Sequence, residues 1–131
     1  MSDVVLDASA VLAMLRDEPG AEKVAAMIGR AAISAVNLQE VAKELLREGA
    51  SLDATRAVLD ELNLDLHPHD RDAAYAAAAL YGPTKQYGRG LGDRACMALG
   101  LQLGVPVMTA DTEWRNVQLD GLTIEKVRKR S

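Results

Sequence analysis

Four carboxylates in this chain stand at places where an acid does little for packing: Asp7, Glu40, Asp93 and Asp111. Asp7 directly follows the apolar run Val4-Val5-Leu6, and Asp111 follows Val105-Pro106-Val107-Met108-Thr109. Asp93 begins a helical pattern after a Gly-rich stretch, and Glu40 lies one position from the apolar stripe of another helix. Acids gathered in one crevice can serve as ligands for a hard cation. Asp7 alone could instead be the nucleophile of a phosphatase. Each acid also has a structural reading. Asp93 can cap a helix, Asp111 can end a strand in a turn, and Glu40 can be a solvated helix side chain. Asp7 is the hardest to read that way, because it sits between a buried run and a helix.

The elements decide whether these acids can meet. Val4 to Leu6 reads as a buried strand, and Ser9 is placed to cap the helix carrying Val11, Leu12 and Leu15. Pro19-Gly20 breaks that helix, and a second helical stretch runs from about Ala21 to Gly29. Ala31 to Ala35 reads as a strand. Leu38, Val41, Ala42, Leu45 and Leu46 then follow the spacing of an amphipathic helix that stops at Gly49. Ser51 starts another helix, Leu64 to His67 forms a short strand, and Asp72 to Leu80 is helical by propensity. Gly82 to Gly92 reads as a mobile connector; no Gly-Lys-Ser/Thr closes it, so it is no phosphate-binding Walker loop. Asp93 opens a helix that ends at Gly104, and strands follow at Val105–Thr109 and Leu122–Val127. Strands alternating with helices predict an α/β domain, 1–131, with a mainly parallel sheet of about four or five strands flanked by helices. Ligands of such sheets bind beyond the carboxyl ends of the strands, which makes Asp7 and Asp111 candidates for one crevice.

Four segments, in order, resemble the motifs of PIN domains: Val5-Leu6-Asp7-Ala8-Ser9-Ala10, Asn37-Leu38-Gln39-Glu40-Val41, Gly92-Asp93-Arg94-Ala95 and Thr109-Ala110-Asp111-Thr112-Glu113-Trp114. Order, spacing and length resemble the VapC-type toxins of toxin–antitoxin pairs, over essentially the whole chain. The resemblance implies an endoribonuclease in which Asp7, Glu40, Asp93 and Asp111 bind one or two Mg²⁺ or Mn²⁺ ions. Carboxylates without His or Cys suit those ions better than zinc. It further implies an RNA substrate, a VapB-type antitoxin partner, a homodimer and a toxin–antitoxin hetero-oligomer. Ser9 and Thr109 either orient Asp7 and Asp111 through their hydroxyls or serve as a cap and a strand residue. Asn37 either reaches the site or starts its helix. Arg94 either contacts phosphate or is a surface arginine, and Trp114 packs against the fold rather than on a base.

Composition sets the outer limits. The chain has 131 residues, 49% of them hydrophobic and 26% charged, which is ordinary for one globular domain. Its single cysteine, Cys96, excludes a disulfide framework and falls on an apolar helical stripe. With neither a leader pattern nor a membrane-length apolar run, the expected location is the cytoplasm. The net charge of −4 disfavours nucleic-acid binding until the acids of a metal site are set apart. Lys126, Arg128, Lys129 and Arg130 then form a basic end that is either functional or a frayed terminus. His67 and His69 flank Pro68, but no further donor completes a metal site there. A phosphatase would want a second acid two residues after Asp7, where Ser9 stands. A PIN-like module that binds RNA or protein without cleavage has no need to hold mutually repelling carboxylates together.

Overall fold

The computed structural model describes residues 2–87 and 90–128. Five strands, β1 (Val4–Leu6), β2 (Ala31–Ser34), β3 (Asp65–His67), β4 (Val107–Thr109) and β5 (Ile124–Lys126), form one sheet in the order β3-β2-β1-β4-β5. Every pairing is parallel. Parallel neighbours need crossovers, and helices supply them: α1 (Ala8–Leu15), α2 (Ala21–Ala25), α3 (Ala35–Arg47), α4 (Leu52–Glu61), α5 (Arg71–Ala79), α6 (Tyr81–Thr84) and α7 (Leu91–Leu103).

Successive strand side chains point to opposite faces, so each strand feeds two cores. Val4, Leu6, Ile33 and Met108 join α1, Val24 of α2 and Val41 of α3 on one face. Val5, Ala32 and Val107 join Met97 and Leu99 of α7, with Trp114 and Val117, on the other. Covering both faces is why the central strands read as unbroken apolar runs rather than as alternating ones. The two edge strands are the exceptions, with Asp65 and Leu66 of β3 and Glu125 and Lys126 of β5 exposed.

Several boundaries differ from the sequence expectation. Asp7, not Ser9, caps α1: its carboxylate accepts the Ala10 N–H, which leaves the Ser9 hydroxyl for other partners. Ser34 caps α3, so Asn37 is the third residue of that helix rather than its start. Leu46 turns out of the apolar stripe and is 42% exposed. The stretch expected to be a connector contains α6 and a 3₁₀ turn at Lys85–Tyr87; Gly88 and Arg89 lie outside the described residues. The next helix begins at Leu91, two residues before Asp93. Gly104, at φ 68°, ends α7 in the left-handed conformation that glycine adopts without a Cβ clash. At the C-terminal end, half-buried Arg128 donates to the Ala110 carbonyl (3.0 Å) and pairs with Glu18 (3.4 Å). Arg128 is thus bound into the fold, whereas Lys129 and Arg130 lie outside the described residues.

Candidate active site

The chain runs outward from β1 through β2 to β3, then returns to the other side of β1 as β4. That reversal leaves a crevice between the carboxyl ends of β1 and β4, the place where open α/β sheets bind ligands. Asp7 follows β1, and Asp111 stands two residues beyond the end of β4. Helix α3 packs against both α1 and α7 at this end and brings Glu40; the first turn of α7 brings Asp93. All four acids line one cavity of about 290 Å³, together with Ser9, Asn37, Lys43 and Glu44. Lys43 and Glu44 were not singled out in the sequence. Their spacing of three and four residues from Glu40 sets them on the same helix face and is the signal that could have found them.

Asp7 is the most enclosed of the acids, at 4% exposure. Its Oδ1 accepts from Ser9 Oγ (2.8 Å) and Ala10 N (2.8 Å), and its Oδ2 from Thr109 Oγ1 (2.5 Å). Burial pushes its pKa from 3.8 up to about 6; the Thr109, Ala10 and Ser9 hydrogen bonds pull against that, and the charge of Asp93 adds a smaller push. Ser9 Oγ also accepts the Ala110 N–H (2.9 Å), which ties α1 to the end of β4. Of the two sequence readings of Thr109, an orienting hydroxyl or a plain strand residue, the structure has the hydroxyl donating to Asp7 and accepting the Asp111 N–H at 3.0 Å. The Asp111 carboxylate caps the 3₁₀ turn Thr112–Asn116 by accepting from Glu113 N (2.8 Å).

Asp93 occupies the third position of α7, where its Oδ2 accepts the Gly90 N–H (3.2 Å). A negative charge in a first helical turn also faces the positive end of the helix dipole. Its Oδ1 accepts from the indole Nε1 of Trp114 (3.1 Å). Trp114 is 1% exposed and packed in the core as expected, and it also orients Asp93. The sequence signal was there, because a buried indole N–H needs an acceptor.

Asn37 is 1% exposed and donates from Nδ2 to Glu40 Oε1 (2.9 Å) and to the Gly92 carbonyl (3.0 Å). Its Oδ1 is buried without a hydrogen-bond partner among the described residues, a state that costs roughly 1–3 kcal/mol. Arg94 points elsewhere. It donates to Thr84 Oγ1 (2.9 Å) and lies 5.2 Å from the centre of the Tyr81 ring, bracing α7 against α6.

The site offers carboxylate and hydroxyl oxygens, a hard donor set that fits Mg²⁺ or Mn²⁺. Among the described residues no three His, Cys, Asp or Glu side chains already form a ready cage for an ion. Mg²⁺ does not require one, since it keeps several waters and is held by one or two direct carboxylates. Cys96 is fully buried, and its thiol is pushed well up by burial and by the charges of Asp7, Asp93 and Glu40; it is no nucleophile. His67 and His69 line a separate cleft of about 420 Å³, and His67 also meets Asp65 at 3.0 Å.

A search of curated proteins finds no match to this sequence. Solved structures match over nearly the whole chain at low identity, and so show a shared fold. A chain of the DNA-bound VapBC from Salmonella typhimurium has a TM-score of 0.73 and 18% identity, covering 98% of this chain and 100% of that one. A chain of a toxin–antitoxin complex from Klebsiella pneumoniae has a TM-score of 0.71 and 15% identity, covering 97% and 99%. VapBC-5 from Mycobacterium tuberculosis has a TM-score of 0.65 and 23% identity, covering 95% and 98%. The family model of the PIN domain matches residues 4–119, a span that begins with β1 and takes in all four acids, and the chain belongs to the PIN domain family.

Proposed function

We propose that this protein is an endoribonuclease toxin of the VapC type, hydrolysing RNA phosphodiester bonds with one or two Mg²⁺ or Mn²⁺ ions held by Asp7, Glu40, Asp93 and Asp111. The observation that carries this reading is that the four acids line one cavity at the β1/β4 crevice. A divalent cation bound there supplies activation of a water and stabilisation of the leaving oxygen.

The chain's own groups do the rest. Ser9, Thr109 and the Ala10 N–H fix both oxygens of Asp7, and Trp114 and the Gly90 N–H fix those of Asp93. Lys43, 69% exposed and 3.2 Å from Glu44, offers an ammonium to the phosphate of an incoming strand at the mouth of the cavity.

The matched structures include VapBC and toxin–antitoxin complexes, which supports a VapB-type antitoxin as partner here. A homodimer fits the exposed apolar side chains of Tyr75, Tyr81 and Leu91 on α5, α6 and α7. Among the described residues no helix is long and apolar enough to cross a membrane, and the cytoplasm is the proposed location.

The test is cleavage of structured RNA by purified protein with Mg²⁺ or Mn²⁺. EDTA should stop it, and Asp111→Asn should lose most activity while remaining folded. Undiminished cleavage in EDTA, or by that variant, would rule the mechanism out. Metal binding without any cleavage would favour a PIN-like module that binds RNA or protein instead.

A further inference from the structure

We infer that Asn37 and Gly92 are positioning residues that together set Glu40, a role that rests on the nuclease reading above. The Asn37 amide cannot be turned over, because Oδ1 would then face two acceptors, Glu40 Oε1 and the Gly92 carbonyl. Its NH₂ therefore bridges the Glu40 carboxylate of α3 to the first turn of α7, and its Oδ1 is left buried without a partner among the described residues. A buried polar atom left unpaired calls for a physical reason, and the two bonds made by the NH₂ supply one.

Gly92 completes the cradle. A Cβ at this position would stand 2.6 Å from both Cδ and Oε2 of Glu40, closer than real contacts allow. Nothing in its backbone calls for glycine: Gly92 is the second residue of α7 and does not have a left-handed φ. Alanine is the better helix former at such a site. The conflicting atoms are the far end of a flexible side chain, so an added methyl would displace Glu40 and spare the helix. Fold and site thus respond to Gly92→Ala with opposite signs, an outcome that a purely structural glycine does not give.

The experiment compares wild type, Gly92→Ala, Asn37→Ala, Glu40→Ala and the double variant Gly92→Ala/Glu40→Ala, by Mn²⁺ titration calorimetry and by thermal melts in EDTA. Gly92→Ala should melt at or above wild type while its Mn²⁺ affinity falls about 10–100-fold, the usual effect of losing an orienting partner. Asn37→Ala should show a similar loss of affinity. Gly92→Ala should raise the melting temperature more in the Glu40→Ala background, where the carboxylate is gone, than in wild type. Wild-type Mn²⁺ affinity in Gly92→Ala, or an equal melting shift in both backgrounds, would overturn the inference alone. A wild type that binds no Mn²⁺ would overturn the metal-site reading and this inference with it.

Discussion

Asp7 caps α1 and lines the cavity at once, so cap and ligand are not competing descriptions of it. Three donors, Ser9 Oγ, Ala10 N and Thr109 Oγ1, converge on a carboxyl that burial would prefer neutral. Its native pKa of about 6 lies above the ordinary 3.8. The folded protein therefore holds the proton to higher pH than the unfolded chain does. Metal-free stability from this group is fully present below about pH 4 and is lost as the pH rises through about 6, by roughly 3 kcal/mol in all. Asp7→Asn removes that loss and keeps the cap, since Asn caps helices as well as Asp. In EDTA the variant should melt close to wild type near pH 4 and higher above about pH 6, and Mg²⁺ at neutral pH should raise wild type more than the variant. A variant that melts lower at neutral pH in EDTA, with Mg²⁺ shifting neither protein, would make Asp7 purely structural.

At the scale of elements, the start of α7 is set from outside the helix. The 3₁₀ turn after β4 brings Trp114 under α7, and its indole N–H holds Asp93. Two acids from distant parts of the sequence, Asp93 and Asp111, are thus linked through one short turn that Asp111 itself caps. Trp114→Phe keeps an aromatic ring in the core and deletes the donor. We expect a loss of stability on the order of 1–3 kcal/mol and a fall in metal affinity of about 10-fold or more, read by denaturant melts and Mn²⁺ titration. A variant that loses stability yet binds Mn²⁺ as tightly as wild type would show that the indole supports the fold and not the site. Arg94 belongs to the same scale, since its bond to Thr84 and its place over Tyr81 join α7 to α6.

At the scale of the whole molecule, the net charge of −4 hides an uneven distribution. Among the described residues, five acids, Asp7, Glu40, Glu44, Asp93 and Asp111, face one cavity against one lysine, Lys43. Such a cavity attracts cations from metals and partners alike. A basic side chain of the antitoxin, able to meet a carboxylate in a bidentate fork, should occupy it and stop cleavage; a complex cutting RNA at the free-toxin rate would exclude that arrangement. The apolar face offers a second test. Leu91 is 86% exposed and Tyr75 72%, a placement that favours association over solvation. If the proposed homodimer forms through this face, wild type should sediment as a dimer and Leu91→Lys as a folded monomer. A monomeric wild type would exclude the dimer, and a dimeric Leu91→Lys would exclude this face as its interface.

Apolar runs alternating with amphipathic patterns made the parallel α/β class readable along the chain, because they admit few other arrangements. The sequence also singled out the four acids, since Asp7 and Asp111 each sit just past a strand and Glu40 and Asp93 fall within PIN-like motifs. Those signals are local, carried by spacing along the chain. Partnerships across the chain were not legible. Thr109 reaches Asp7 across 102 positions, Asn37 reaches Gly92 across 55, and Trp114 reaches Asp93 across 21. Ser9 could be a cap or an orienting hydroxyl in the sequence; its bond to Asp7 is local, but the Ala110 N–H reaches it because β4 lies beside α1. The need for glycine at position 92 was equally hidden, because it comes from a carboxylate on α3 rather than from the backbone of α7. Spacing reports which face of an element a residue occupies, but a hydrogen bond or a steric limit between elements exists only once the sheet and its crossovers bring them together.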